Sequence, residues 1–216
     1  MRIWLAILGL CLASPALAVG TKPGQLSGAQ ALKQGQGAVV VSIRSEIFLP
    51  DALEVYFLRE GGSVAEKRDV IRFTRKQSML AISNDTTDYV VRSYALAPGR
   101  YRLIGYGVGC PAVPSPGMVC AISINGGIGI SRPSRGYAGE TPSFEVEAGK
   151  LTMLGDLLLA YENAMLWSPL PDSAAGPAVS ALAALDRAAA PAIPDSFVLK
   201  RAVRPASMFD NFGRRY

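Results

Sequence analysis

The chain contains no histidine in 216 residues. That absence removes the side chain that most often serves as a base or proton shuttle near neutral pH. With it go Ser/His/Asp and Cys/His nucleophilic sites and most zinc sites. Cysteine is nearly absent, with Cys11, Cys110 and Cys120 alone. The formal net charge of +5 is a mild basic surplus and not in itself a nucleic-acid signature.

What is present begins with an address. Met1 and Arg2 precede the apolar run Ile3 to Leu12, and Ser14-Pro15-Ala16-Leu17-Ala18 then supplies the small-x-small pattern of a signal-peptidase site. The run is far short of the ~20 residues of a bilayer span, and Pro15 follows directly. Residues 1–18 are therefore expected to be a signal peptide cut after Ala18, leaving an exported chain that is periplasmic or extracellular. Leu10 stands before Cys11 where lipoprotein processing wants a small residue, so Cys11 is expected to leave with the leader. Loss of Arg2 lowers the formal charge to +4, and an even pair of cysteines remains, as an oxidising compartment favours.

Residues 19–36, rich in Gly, Gln, Ser and Lys without a sustained apolar period, read as a flexible lead-in. From residue 37 to 162 the pattern changes to strand chemistry. Ala38 to Arg44 is a β-branched run, and in Leu53 to Leu58 the residues Leu53, Val55 and Phe57 alternate with Glu54 and Tyr56. Further runs follow at Val70 to Thr74, Met79 to Ser83, Tyr89 to Ala95, Tyr101 to Val108, Val119 to Asn125, Ser143 to Val146 and Leu151 to Leu154. Between them stand Gly61-Gly62, Asn84-Asp85, Pro98-Gly99, Gly126-Gly127 and Gly149-Lys150, all turn formers. Short strands at hairpin spacing predict an all-β fold, an antiparallel β-sandwich or small barrel. An outer-membrane barrel fits poorly, because most runs are shorter than its strands of ~9–11 residues. Residues 163–216 read as a Pro-rich linker, an Ala-rich helix over Ala178 to Ala190 with Pro177 in its first turn and an apolar stripe of Val179, Leu182 and Leu185, and a basic tail.

The segment Leu96-Ala97-Pro98-Gly99-Arg100-Tyr101-Arg102-Leu103, with Phe144-Glu145-Val146-Glu147-Ala148-Gly149-Lys150 and Leu154-Gly155-Asp156 further on, resembles transthyretin-like and carboxypeptidase-regulatory-like sandwiches. It is more similar still to a group of small exported bacterial β-sandwich proteins of unknown function. The resemblance covers about residues 37 to 160 and is strongest over 95 to 156. It implies a fold, Ig-like or transthyretin-like, and a compartment. It brings no catalytic residues with it, and the cysteine hairpin and basic tail depart from the pattern.

Once the leader is gone, Cys110 and Cys120 are each other's remaining partner, in a Pro/Gly-rich excursion between two strands. They are expected to form a structural disulfide worth ~2–3 kcal/mol in the chain-entropy picture. Nine intervening residues do not suit a redox dithiol of the C-x-x-C kind. Asn125-Gly126-Gly127-Ile128-Gly129-Ile130 lacks the Gly-Lys-Ser/Thr ending of a phosphate loop. Arg132, Arg135, Tyr137 and Glu140 follow in what reads as an exposed loop. Glu145 and Glu147 share a strand face, which outward alternation explains better than acid/base work. Asn84, Asp85 and Asp88 fit no recognised calcium loop, and neither a G-x-S-x-G elbow nor an S-x-x-K motif is present.

The tail holds Lys200, Arg201, Arg204, Arg214 and Arg215 against Asp210, interleaved with Phe197, Phe209, Phe212 and Tyr216. It can lie along an anionic envelope surface, where each cation contributes up to ~1 kcal/mol, drape over the sandwich, or remain a partly ordered terminus. Two functions stay open. The first is a non-catalytic binding or envelope-interaction module that takes no cofactor and no metal. Its partner would be an envelope component or another exported protein, not nucleic acid. The second is a His-independent hydrolase, for instance of Ser-Lys type, acting on an envelope substrate.

Overall fold

A computed structural model describes residues 20–46, 52–64, 66–76, 89–108, 142–160, 165–191, 193 and 197–199. The chain is mostly β. Its strands are β1 (Gly24–Gln25), β2 (Gly37–Ser45), β3 (Leu53–Arg59), β4 (Val70–Arg75), β5 (Val91–Leu96), β6 (Gly99–Val108), β7 (Ser143–Val146), β8 (Lys150–Leu159), β9 (Met165–Ser168), β10 (Asp186–Arg187) and β11 (Phe197–Leu199). Among the described residues there is one α-helix, α1 (Asp172–Ser180), between β9 and β10, besides two short 3-10 turns at Ala29–Ala31 and Lys67–Asp69. A four-stranded sheet has the order β4-β3-β6-β7. A larger one runs β1-β5-β2-β8-β9-β11, with β10 also on β8. The expected runs at Met79 to Ser83 and Val119 to Asn125 lie outside the described residues, as do the cysteine pair and the tail from Lys200.

The two sheets share one apolar core. Val55, Phe57, Phe73, Tyr101, Leu103 and Phe144 from the smaller sheet meet Val39, Val41, Ile43, Tyr94, Leu154, Leu157 and Trp167 from the larger. Phe57 is the hub, with edge-to-face contacts to Phe73, Phe144 and Trp167 at centroid distances of 5.8, 5.2 and 5.6 Å. The Pro98-Gly99 turn carries Gly99 at φ +147°, a backbone state closed to most L-residues. The Tyr101 hydroxyl then donates to Ala97 O at 2.9 Å and fastens the turn to the strand that follows it.

Apart from an isolated parallel bridge of Thr21 with Ile71 beside the smaller sheet, pairing among the strands is antiparallel except at the centre of the larger sheet. There β2 and β8 run parallel from Ala38↔Leu151 to Ser45↔Leu159, and β10 also joins β8 parallel. This corrects the expectation of a wholly antiparallel sheet. No hairpin joins β2 to β8, so direction was free, and the outer face at this pair is not open to water. Leu26, Ala38, Val40, Leu151 and Leu182 form a second apolar cluster there, flanked by Ala29, Leu32, Val179 and Leu185. Burial on both faces is the setting parallel strands require.

The β2–β8 ladder slips between Val40 and Val41, which pair with Met153 and Gly155, so Leu154 has no partner across it. A β-bulge of this kind reverses side-chain parity beyond it. Leu151 and Met153 face the outer cluster, whereas Leu154, Leu157 and Leu159 face the core. Gly155 permits the bulge with φ +112°, and a Cβ on it would stand 2.5 Å from Ser168 O.

The helix is displaced from its expected position. It starts after Pro171 with Asp172 in its first turn and holds Pro177 within it, while the alanines expected to be helical lie largely beyond its end. Asp186 and Arg187 pair with Lys150 and Leu151, and Ala188 N donates to Leu151 O at 2.8 Å. Sheet bonds at an open stretch of the β8 edge thus overrule the helix propensity of alanine. The expected apolar stripe still docks, since Val179, Leu182 and Leu185 all join the outer cluster.

The segment expected as a free lead-in is tied to both sheets. Thr21 N donates to Val70 O at 2.7 Å, Arg72 N donates to Thr21 O, and the Thr21 hydroxyl reaches Lys67 O, all on or beside the smaller sheet. A few residues on, β1 pairs with β5 in the larger sheet and Leu26 is buried. Thr21→Pro removes the first of these donors and the hydroxyl together. It is expected to lower stability by about 1–2 kcal/mol, read as a lower urea midpoint at unchanged slope.

Candidate functional site at the arginine-bearing end

Strand registers place several chain ends together. In the smaller sheet Leu53 pairs with Arg75 and with Val108. In the larger, Ser45 pairs with Leu159, Leu159 with Met165, and Met165 with Leu199. Arg75 Nη1 donates to Ile43 O at 2.8 Å, so the two sets of strand ends lie at the same end of the protein. Strand β11 therefore brings the chain to this end immediately before Lys200.

Three arginines and one buried aspartate gather there. Asp156 follows the Gly155 bulge and pairs in register with Ser42. Its carboxylate is 1% exposed and accepts from Arg44 Nε at 2.8 Å, the arginine itself being 16% exposed. The Arg44 guanidinium also lies 4.4 Å from the centroid of the Tyr89 ring, a cation–π contact. Asp156 Oδ1 and Ser42 Oγ are buried with no hydrogen-bond partner among the described residues. The Leu154-Gly155-Asp156 motif thereby acquires three separate roles: a core side chain, a bulge and an ion-pair partner.

On the core side of the same end, Val41, Ile43, Thr74, Arg75, Val90, Arg92 and Tyr94 line a small cavity of about 10 Å³. That is close to the least space able to hold one water. Burial lowers the Arg75 pKa from its ordinary value, and Arg92 and Arg44 lower it further, while Asp156 acts in the opposite direction. The Tyr94 hydroxyl is pushed up by burial and drawn partly back by Arg92 beside it.

A second polar group sits on the smaller sheet. Tyr56 OH donates to Glu54 Oε2 at 2.5 Å, and Arg72 Nη1 donates to Glu54 Oε1 at 2.9 Å. Burial first, then the hydrogen bond to Glu54, holds the Tyr56 phenol far above its usual range, so it remains a donor and cannot act as a base. Sequence alternation sets Glu54 and Tyr56 opposite the core residues; both are buried, and Tyr56 belongs to the shared apolar core.

Burial likewise raises the pKa of Tyr101. The three phenols have folded pKa values above the unfolded value of 10.0. Their contribution to stability is whole below that pH and is lost as pH rises above it, because the unfolded chain then releases protons that the folded chain retains. Ultraviolet titration of the native protein is expected to show Tyr56 ionising only together with alkaline unfolding, and Tyr94 and Tyr101 ionising above the ordinary phenol range.

Of the residues singled out in the sequence, Cys110, Cys120, Lys200, Arg201, Arg204, Phe209, Phe212, Arg214, Arg215 and Tyr216 lie outside the described residues, as do Asn84, Asp85, Asp88 and the Arg132 to Glu140 loop. Glu145 is exposed between buried Phe144 and Val146, and Glu147 is bonded to Lys150. Sequence reasoning did not single out Arg44, Arg75 or Arg92. A signal was available for Arg92, which shares inward parity with Tyr94 in β5 and pairs with core residue Val41.

The fold and this site define a two-sheet, mostly β protein with a cationic end. No protein-family model matches the chain, and no curated protein matches it. Among solved structures, a leucine-rich repeat protein from Bacteroides thetaiotaomicron aligns at 12% identity with a TM-score of 0.26, covering 59% of this chain. The chain spans 14% of that protein's length, and so low a score supports no argument about fold or function.

Proposed function

We propose that this chain is an exported, non-catalytic binding module of the cell envelope, built as an Ig-like or transthyretin-like β-sandwich, that engages an anionic envelope component or another exported protein through its arginine-bearing end. The observation that carries this reading is that β11 runs to Leu199 at the end that holds Arg44, Arg75 and Arg92. A leader-like N-terminus and an even cysteine pair agree with an exported chain. Two facing sheets with a shared core and the Tyr101-to-Ala97 turn bond agree with a sandwich. In such folds loops clustered at one end commonly form the binding surface.

The reading is tested by fractionating the producing cell. Retention on envelope fractions should fall as salt rises, because exposed charges are screened within a Debye length of about 8 Å at physiological ionic strength. It should also be lost on deletion of residues 200–216. Retention that neither salt nor that deletion changes would contradict the proposal.

A further inference from the structure

We infer that Arg75 and Arg92 form the subsite for a single oxyanionic group, a carboxylate or phosphate, at the mouth of the cavity between the two sheets. This deepens the binding reading above and rests on it for the role of that end. Among the described residues neither arginine is in an ion pair; the four ion pairs found belong to Arg44, Arg72, Arg100 and Lys150. The carboxylate whose field reaches Arg75, that of Asp156, is already bound by Arg44. Two partly buried guanidiniums on facing walls of the cavity, one from each sheet, therefore repel each other with no ion-pair partner among the described residues, and an anion between them relieves both.

The surroundings define what fits. The bond from Arg75 Nη1 to Ile43 O holds that guanidinium in place without neutralising it. Tyr94, hydrogen-bonded to Arg92, belongs to the lining, and Val41, Ile43 and Val90 supply apolar walls that strengthen a charge-assisted bond. A space of about 10 Å³ admits a terminal oxygen and no larger part of a ligand. The subsite thus recognises a charged end group and leaves the remainder of the molecule outside. Guanidinium is suited to such planar or tetrahedral oxyanions because its N–H groups form a rigid fork.

The full chain is titrated by calorimetry with inorganic phosphate and, separately, with acetate at constant ionic strength. At least one anion is expected to bind saturably. Arg92→Gln is expected to weaken it by about tenfold or more, in keeping with loss of one charge-assisted bond, and Arg92→Lys to retain part of the affinity. Circular dichroism and the thermal midpoint verify that both variants are folded. A parallel flotation with phosphatidylglycerol-containing and pure phosphatidylcholine vesicles separates the sources. Arg92-dependent flotation that phosphate competes away assigns the group to a lipid headgroup, and phosphate binding without such flotation assigns it to a free anion; both support the subsite. Absence of saturable binding of either anion, or equal affinity in a folded Arg92→Gln variant, overturns it. Should tail deletion abolish envelope retention while Arg92→Gln leaves anion affinity unchanged, the subsite fails and the envelope reading stands.

Discussion

Replacement of Trp167 by alanine is expected to lower folding stability by about 3–5 kcal/mol, a large part of the about 5–15 kcal/mol typical of a domain. Trp167 is fully buried on β9 and touches Phe57 of the other sheet edge-on at 5.6 Å. Its indole Nε1 donates to Leu154 O at 2.7 Å. Leu154 is the residue left unpaired across the β2–β8 bulge, so the indole supplies a partner that the parallel ladder does not. Truncation therefore opens a cavity between the sheets and also removes the donor to a buried carbonyl. Trp167→Phe separates these effects, since it keeps most of the packing and forfeits the bond, for an expected loss of about 1–3 kcal/mol. Chemical denaturation followed by far-ultraviolet circular dichroism measures both variants. Equal stability of Trp167→Ala and the native chain would contradict the shared-core account.

The second large effect is expected at Arg44. Its partner Asp156 is almost wholly buried and has one carboxylate oxygen without a hydrogen bond among the described residues. Arg44→Met leaves that carboxylate inside the protein without its cation, an arrangement that typically costs about 3–5 kcal/mol. The change also removes the guanidinium from the Tyr89 ring. If desolvation dominates, the double variant Arg44→Met with Asp156→Leu should recover much of the loss, because no ion then stays buried. A double-mutant cycle by urea denaturation reads the coupling directly.

The strands that could be read from the sequence are those whose burial is one-sided or whose turns are explicit. Leu53 to Leu58 alternates, Ser143 to Val146 matches β7 to the residue, and Pro98-Gly99 marks the β5–β6 turn, although that turn crosses from the larger sheet to the smaller and closes no hairpin. Harder to see were elements whose conformation depends on a distant partner. Residues 24–25 and 186–187 are strands only because β5 and β8 offer free edges, and nothing in Gly24-Gln25 or Asp186-Arg187 announces this locally. The parallel direction of β2 against β8 was similarly hidden, since a run of valines is compatible with either direction. The β8 strand reads as four residues yet extends over ten, because the Leu154-Gly155-Asp156 bulge interrupts the alternation that would reveal it.

The tail cations are conspicuous in the sequence as a basic cluster, while Arg44, Arg75 and Arg92 are scattered over three strands and come together only through the pairing of those strands and the bond from Arg75 to Ile43 O. Arginine at a strand end ordinarily signifies a solvated rim. Its meaning changes here because Arg75 and Arg92 line a cavity together, which depends on how the sheets face each other.

Export underlies the proposed function, and mass spectrometry of the chain recovered from its producing cell tests it most directly. The account predicts a first residue of Val19 and a mass two hydrogens below the reduced form, with Cys110 joined to Cys120. A chain beginning at Met1 whose thiols are alkylated without prior reduction would contradict it.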